Sequence, residues 1–211
     1  MSKYKCVIFD CDGVLVDSEA IGNKVFVDMA NELGANIDLN YAIKHYKGGF
    51  LKDSINQLSK LLEGHVPDTF ETEYRTRSFE AFKKEMKPIS GIKPVLDNLK
   101  IPFCVASSGP ENKIRLNLEL AGLLPYFKNN IFSCYTIQKW KPEPDIFLWS
   151  AQTMGYNPSE CLVVEDSITG VRAAKRGGFD VFGYAEHDYN NELQHEATKT
   201  FGSMGELLGM I

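Results

Sequence analysis

Apolar positions along the chain fall into two regimes. In the first, short unbroken runs at Cys6 to Phe9, Phe103 to Ala106 and Cys161 to Val164 end abruptly in polar residues. Runs of this length without alternation read as strands buried on both faces. Residues 130–133 and 180–184 add two more candidate strands. In the second regime apolar residues recur at helical spacing. Ile21, Val25, Met29 and Leu33 mark one helix, stopped at Gly34. Ile55, Leu58, Leu61 and Leu62 mark a second over about 51–62. Phe70, Tyr74, Phe79, Phe82 and Met86 mark a third over about 67–85, capped by Asp68 or Thr69, with the aromatic stripe read as core packing.

Residues 18–86 carry no strong strand pattern. Beyond them, strands alternate with helices: one opened by Gly91 and Pro94 and carrying Val95, Leu96 and Leu99, then others over about 111–121, 144–154 and 168–177, and a short one at 204–208. Such alternation implies a parallel sheet with helices on both faces. The expected fold is α/β: a Rossmann-like core from 1–17 and 87–211, interrupted by an all-helical insert at 18–86. In such sheets ligands lie beyond the carboxyl ends of the strands. Three strands end there in polar groups: Asp10 and Asp12, Ser107, and Glu165 with Asp166.

Asp10 and Asp12 flank Cys11 and precede Gly13, which lets backbone N–H groups approach a ligand. A surface turn uses the same residue types. At the end of a buried strand, however, two such acids repel unless a cation or a shared proton intervenes. Oxygen ligands suit a hard cation such as Mg²⁺. The turn is Asp-x-Asp-Gly rather than GxGxxG, which disfavours a dinucleotide site.

Composition acts by exclusion. A net charge of −5 over 211 residues argues against a general nucleic-acid binder. No apolar run reaches membrane-span length, and the start of the chain lacks a signal-peptide pattern. Cys6, Cys11, Cys104, Cys134 and Cys161 form no CxxC pair, so buried reduced thiols and a cytoplasmic location are expected, without zinc.

The stretch Asp10, Asp12, Gly13, Asp17 resembles the first motif of the haloacid dehalogenase (HAD) superfamily. The later motifs follow in order: Ser107 after the second strand, Lys141 in Lys141-Pro142-Glu143-Pro144-Asp145, and Glu165-Asp166-Ser167. The resemblance covers essentially the whole chain, and the insert lies as in the β-phosphoglucomutase-like branch. It implies a helical cap over a HAD core and Mg²⁺-dependent hydrolysis of a phosphate monoester through an aspartyl-phosphate. Asp10 would be the nucleophile and Asp12 the acid and base. Ser107, Ser108 and Lys141 would bind phosphate. Asp10, Asp12 through its carbonyl, Asp166 and Glu165 would hold the metal, with Glu165 acting through water or orienting Lys141 instead.

The basic stretch 42–52 offers Lys44, Lys47 and Lys52 as cap contacts to substrate. Gln138, Trp140 and Asn112 are candidates for the substrate end of the site. The implied partner is a small phosphorylated metabolite, a sugar or sugar-acid phosphate such as 6-phosphogluconate. No nucleic acid or membrane partner is expected, and the chain would be a monomer or weak oligomer. β-Phosphoglucomutase itself has a histidine where this chain has Gly22 and an arginine where it has Leu51. That weakens a mutase reading without closing it, and a non-catalytic metabolite-binding protein also stays open.

Overall fold

The computed structural model describes residues 3–46, 50–62, 64–188 and 191–211. Six parallel strands form one sheet: β1 (Cys6–Phe9), β2 (Phe103–Ser107), β3 (Ile131–Ser133), β4 (Cys161–Glu165), β5 (Asp180–Tyr184) and β6 (Lys199–Phe201). Their order is β3-β2-β1-β4-β5-β6. β1 is central, and Phe9 pairs with Val105 on one side and Val164 on the other. The carboxyl ends of β1, β2 and β4 therefore share one edge.

Alternate residues of each strand feed opposite faces. Val7, Phe9, Val105, Leu162 and Val164 pack on one side, with Ile92, Val95 and Leu96 of α5 (Ile92–Asn98) and Ile114 and Leu118 of α6 (Glu111–Leu120). Cys6, Ile8, Cys104, Ala106 and Val163 pack on the other. There they meet Ile146 and Phe147 of α9 (Asp145–Met154) and Val171 and Ala174 of α10 (Ile168–Arg176). All five cysteines are buried and free. No helix of the described residues is long and apolar enough to cross a membrane.

Between β1 and α5 the chain forms α1 (Glu19–Glu32), α2 (Leu39–Tyr46), α3 (Leu51–Leu61) and α4 (Phe70–Glu85). These helices bury a cluster of their own around Phe26, Met29, Tyr46, Leu58 and Phe70. The chain leaves and returns to the core side by side: Asp17 N donates to Lys87 O at 3.0 Å and Ile89 N to Leu15 O at 3.0 Å.

Several local readings change. Thr69 holds the N-cap position of α4, but its side chain makes no cap bond. α2 runs into the basic stretch 42–52, and only Ala42 and Tyr46, one helical turn apart, are buried in it. The short α7 (Leu124–Phe127), α8 (Cys134–Ile137) and α11 (Leu193–Glu196), together with β6, carry too few periodic apolar positions to signal themselves. The terminal segment at 204–208 is a 3₁₀ turn running into α12 (Leu207–Met210).

Candidate active site

After Phe9 the chain turns within a few residues. Leu15 N and Val16 N both donate to Cys11 O, and Gly13 N donates to Val16 O. Gly13 has φ +82°, a left-handed conformation that favours glycine. The space its Cβ would take is filled by the Asp166 carboxylate. This glycine thus lets the end of β4 close against the end of β1.

Lys141 ties the strand ends together. Its Nζ donates to Asp10 Oδ1 at 2.5 Å, Glu165 Oε1 at 2.6 Å and Ala106 O at 3.3 Å. An ammonium has three protons, and all three are used. Glu165 is 0 % exposed, and its second oxygen accepts from Ser167 N and Oγ at 2.9 Å each. Both Glu165 oxygens are thereby engaged, one by Lys141 and the other by Ser167. A Cβ at Gly170 would collide with this carboxylate, so the first turn of α10 needs glycine at this position.

Ser107 is buried at the end of β2, and its Oγ accepts from Gly109 N at 3.0 Å. Ser108 is half-buried beside it and lines the same cavity. Pro110, not Ser107, occupies the N-cap of α6. Ser133 Oγ donates to Gly109 O at 2.6 Å and fixes the loop from the next strand.

Asp12 is held by three donors. Lys113 Nζ lies 2.8 Å from Oδ2, Asn117 Nδ2 lies 3.3 Å from Oδ1, and the Ser18 hydroxyl also bonds Oδ1.

Over this edge α1, α2, α3 and α4 close a cavity whose wall includes Tyr46, Phe50, Ser54, Tyr74, Phe79 and Phe82. The aromatic stripe of α4 is thus cavity wall as well as packing. Phe50 stacks on Trp140 with centroids 4.5 Å apart, and Arg75 Nη2 donates to Tyr135 Oη at 2.7 Å, joining helices and core. Trp140, Gln138 and Asn112 are not part of this wall; Asn112 lies in an adjoining groove behind Arg75 and Tyr135. Lys44 and Lys52 are exposed and also outside the wall. On α2 the inward residues are Ala42 and Tyr46, and on α3 they are Leu51 and Ser54, which turns Lys44 and Lys52 to solvent. Lys47 lies outside the described residues. Among the described residues of these four helices, the cation that lines the cavity is Arg75.

The electrostatics separate the two aspartates. Burial pushes the Asp10 carboxyl well above its usual range; Lys141 opposes this, while Glu165, Asp166 and Asp12 add to it. For Asp12 burial also raises, but Lys113 and the Ser18 hydroxyl outweigh it and hold the carboxyl below its usual range. Burial works to lower both lysines, yet their acidic partners raise them.

Among the described residues, the strand-end cluster sets four carboxylates, Asp10, Asp12, Glu165 and Asp166, against two ammonium groups, Lys113 and Lys141. Two negative charges are left over, and a divalent cation fits that excess. No three His, Cys, Asp or Glu side chains form a ready cage among the described residues. Mg²⁺ needs no such cage, since it binds through one or two carboxylates and completes its shell with water and substrate phosphate.

A family model described as haloacid dehalogenase-like hydrolase matches residues 4–178. The 6-phosphogluconate phosphatase of Escherichia coli is 34% identical over 209 residues, covering 98% of this chain and 94% of that one. A conserved haloacid dehalogenase-like protein from Agrobacterium tumefaciens superposes with a TM-score of 0.88 at 28% identity, over 98% of this chain and 97% of that one. A HAD family hydrolase from Deinococcus radiodurans, solved with bound phosphate and sodium, gives a TM-score of 0.81 at 28% identity, over 98% and 94%.

Proposed function

The chain belongs to the haloacid dehalogenase-like hydrolase family, and from that premise we propose that it is a Mg²⁺-dependent phosphatase of a small sugar or sugar-acid phosphate. Residues 1–17 and 87–211 form the catalytic core in this reading, and residues 18–86 form a cap that covers bound substrate. The observation that carries the reading is the placement of two aspartates, each against its own lysine, at one strand end. Asp10 is buried with Lys141 against it, and Asp12 is held by separate partners two residues further on.

Ser107, Ser108 and Lys141 bind the phosphoryl oxygens. An Asp10 oxygen attacks phosphorus as the bond to the leaving oxygen breaks, forming an aspartyl-phosphate. Asp12, in its protonated form, gives its proton to the leaving alcohol. As a carboxylate it then takes a proton from the water that attacks phosphorus, which frees inorganic phosphate and restores Asp10. Glu165 holds Lys141 in place through both half-reactions. Asp10, Asp166 and the Asp12 carbonyl are the residues that would hold Mg²⁺, which supplies positive charge against the phosphoryl oxygens when bound. The cap excludes water other than the attacking one.

Hydrolysis is favoured over a mutase reaction by the surroundings of Gly22. A Cβ there would lie 3.1 Å from Tyr74 Oη, so the histidine that the mutase carries would need the Tyr74 hydroxyl to give by a few tenths of an ångström. The name of the E. coli relative makes 6-phosphogluconate the first substrate to try. The test is phosphate release from a panel that includes 6-phosphogluconate and β-glucose 1-phosphate, with Mg²⁺ and with chelator. Release that needs Mg²⁺ is expected. No release from any compound, or release that chelation leaves untouched, would contradict the proposal.

A further inference from the structure

Lys113 sits in the first turn of α6, and its stem crosses Gly109, whose Cβ position would lie 3.4 Å from Lys113 Cδ. The ammonium meets Asp12 Oδ2 at 2.8 Å and stands 5.7 Å from the centroid of the Phe82 ring on α4. Asn117, one turn along the same face of α6, reaches the other Asp12 oxygen, Oδ1. One core helix therefore fixes both oxygens of Asp12, and a cap aromatic stands over the cation that does so. The Lys113 side chain is about one-quarter exposed (23%) and lines the cavity.

We propose that Lys113 is a positioning residue for proton delivery to the leaving alcohol, acting through Asp12. The inference rests on the phosphatase reading above. As the bond from phosphorus to the leaving oxygen breaks, its electron pair stays on that oxygen and takes the proton from Asp12. Negative charge then appears on the Asp12 carboxylate beside the Lys113 ammonium, already aimed at it. A lysine used only to anchor phosphate would gain nothing from being placed on the proton donor. A lysine used only for packing would have no need of a carboxylate in the cavity.

Leaving groups separate these roles. An alkyl phosphate, such as the best sugar phosphate of the panel, needs its leaving oxygen protonated, whereas p-nitrophenyl phosphate does not. The experiment measures kcat/KM, which reports steps through loss of the leaving group, for both substrates with wild type, Lys113→Met and Asp12→Asn. Lys113→Met is expected to lower kcat/KM for the alkyl ester by about 100-fold. For p-nitrophenyl phosphate the loss should stay below about 10-fold, and Asp12→Asn should show the same bias. The fraction of folded enzyme cancels in the ratio of the two substrates, and Lys113→Gln replaces the methionine variant if that one is insoluble. An equal loss for both esters, or a rise in KM alone, would overturn the proposal. Failure of wild type to hydrolyse either ester would instead remove the phosphatase reading, and this inference with it.

Discussion

Glu165 is the residue on which the buried charge depends. With no exposure, it keeps Lys141 charged and pointed at Asp10, and it does so in a space left open by Gly170. Gly170→Ala would drive a methyl group into the carboxylate. Overpacking of this kind costs about 1–3 kcal/mol, and the variant should melt lower in a denaturant titration and lose turnover as Lys141 shifts. A variant as stable and active as wild type would show that Glu165 has room elsewhere. At this scale the motif residues were legible in the sequence, because Asp10, Asp12, Ser107, Glu165 and Asp166 stand at strand ends or beside them and Lys141 opens the run Lys141-Pro142-Glu143-Pro144-Asp145. Lys113 was not, since it reaches Asp12 across 101 positions from an ordinary helical surface. Charge alone misled at Lys44 and Lys52, where the helical face decides and points them outward.

The strands and the long helices announce themselves by period, because a strand buried on both faces has no room for polar residues. The three-residue edge strand β6 buries only Phe201, and α2 buries only two residues, so neither generates a pattern to read. A separate tie holds the chain start to β5: Asp180 accepts from Lys3 Nζ at 2.5 Å and Tyr4 Oη at 2.9 Å. The hydrogen bond from Lys3 holds the Asp180 carboxyl below its usual value of 3.8 against the effect of burial. A depressed folded-state pKa stabilises above the unfolded value and ceases to do so as pH falls through the folded one. Asp180→Asn should therefore cost about 1 kcal/mol at pH 7. That cost should shrink as pH drops below 3.8, as read from denaturant melts of both proteins across that range. A difference that does not change with pH would show that the ion pair contributes nothing.

On the scale of the molecule, a parallel sheet brings acids, hydroxyl and lysine to one edge, and four helices close a cavity over them. The core face of that cavity is polar and charged. The helical face is largely aromatic, with Arg75 as its cation, and it rests on the core through Phe50, Trp140 and Tyr135. In the proposed reading, phosphate chemistry belongs to the first face and the choice of metabolite to the second. Everything assigned to this cavity turns on Asp10 as the atom donor to phosphorus, so Asp10→Asn is the most direct measurement. Assayed with Mg²⁺ on the best substrate of the panel, the variant should melt like wild type and release phosphate at least about 1,000-fold more slowly. A folded Asp10→Asn enzyme that turns over at the wild-type rate would contradict the assignment of the nucleophile and the mechanism built on it.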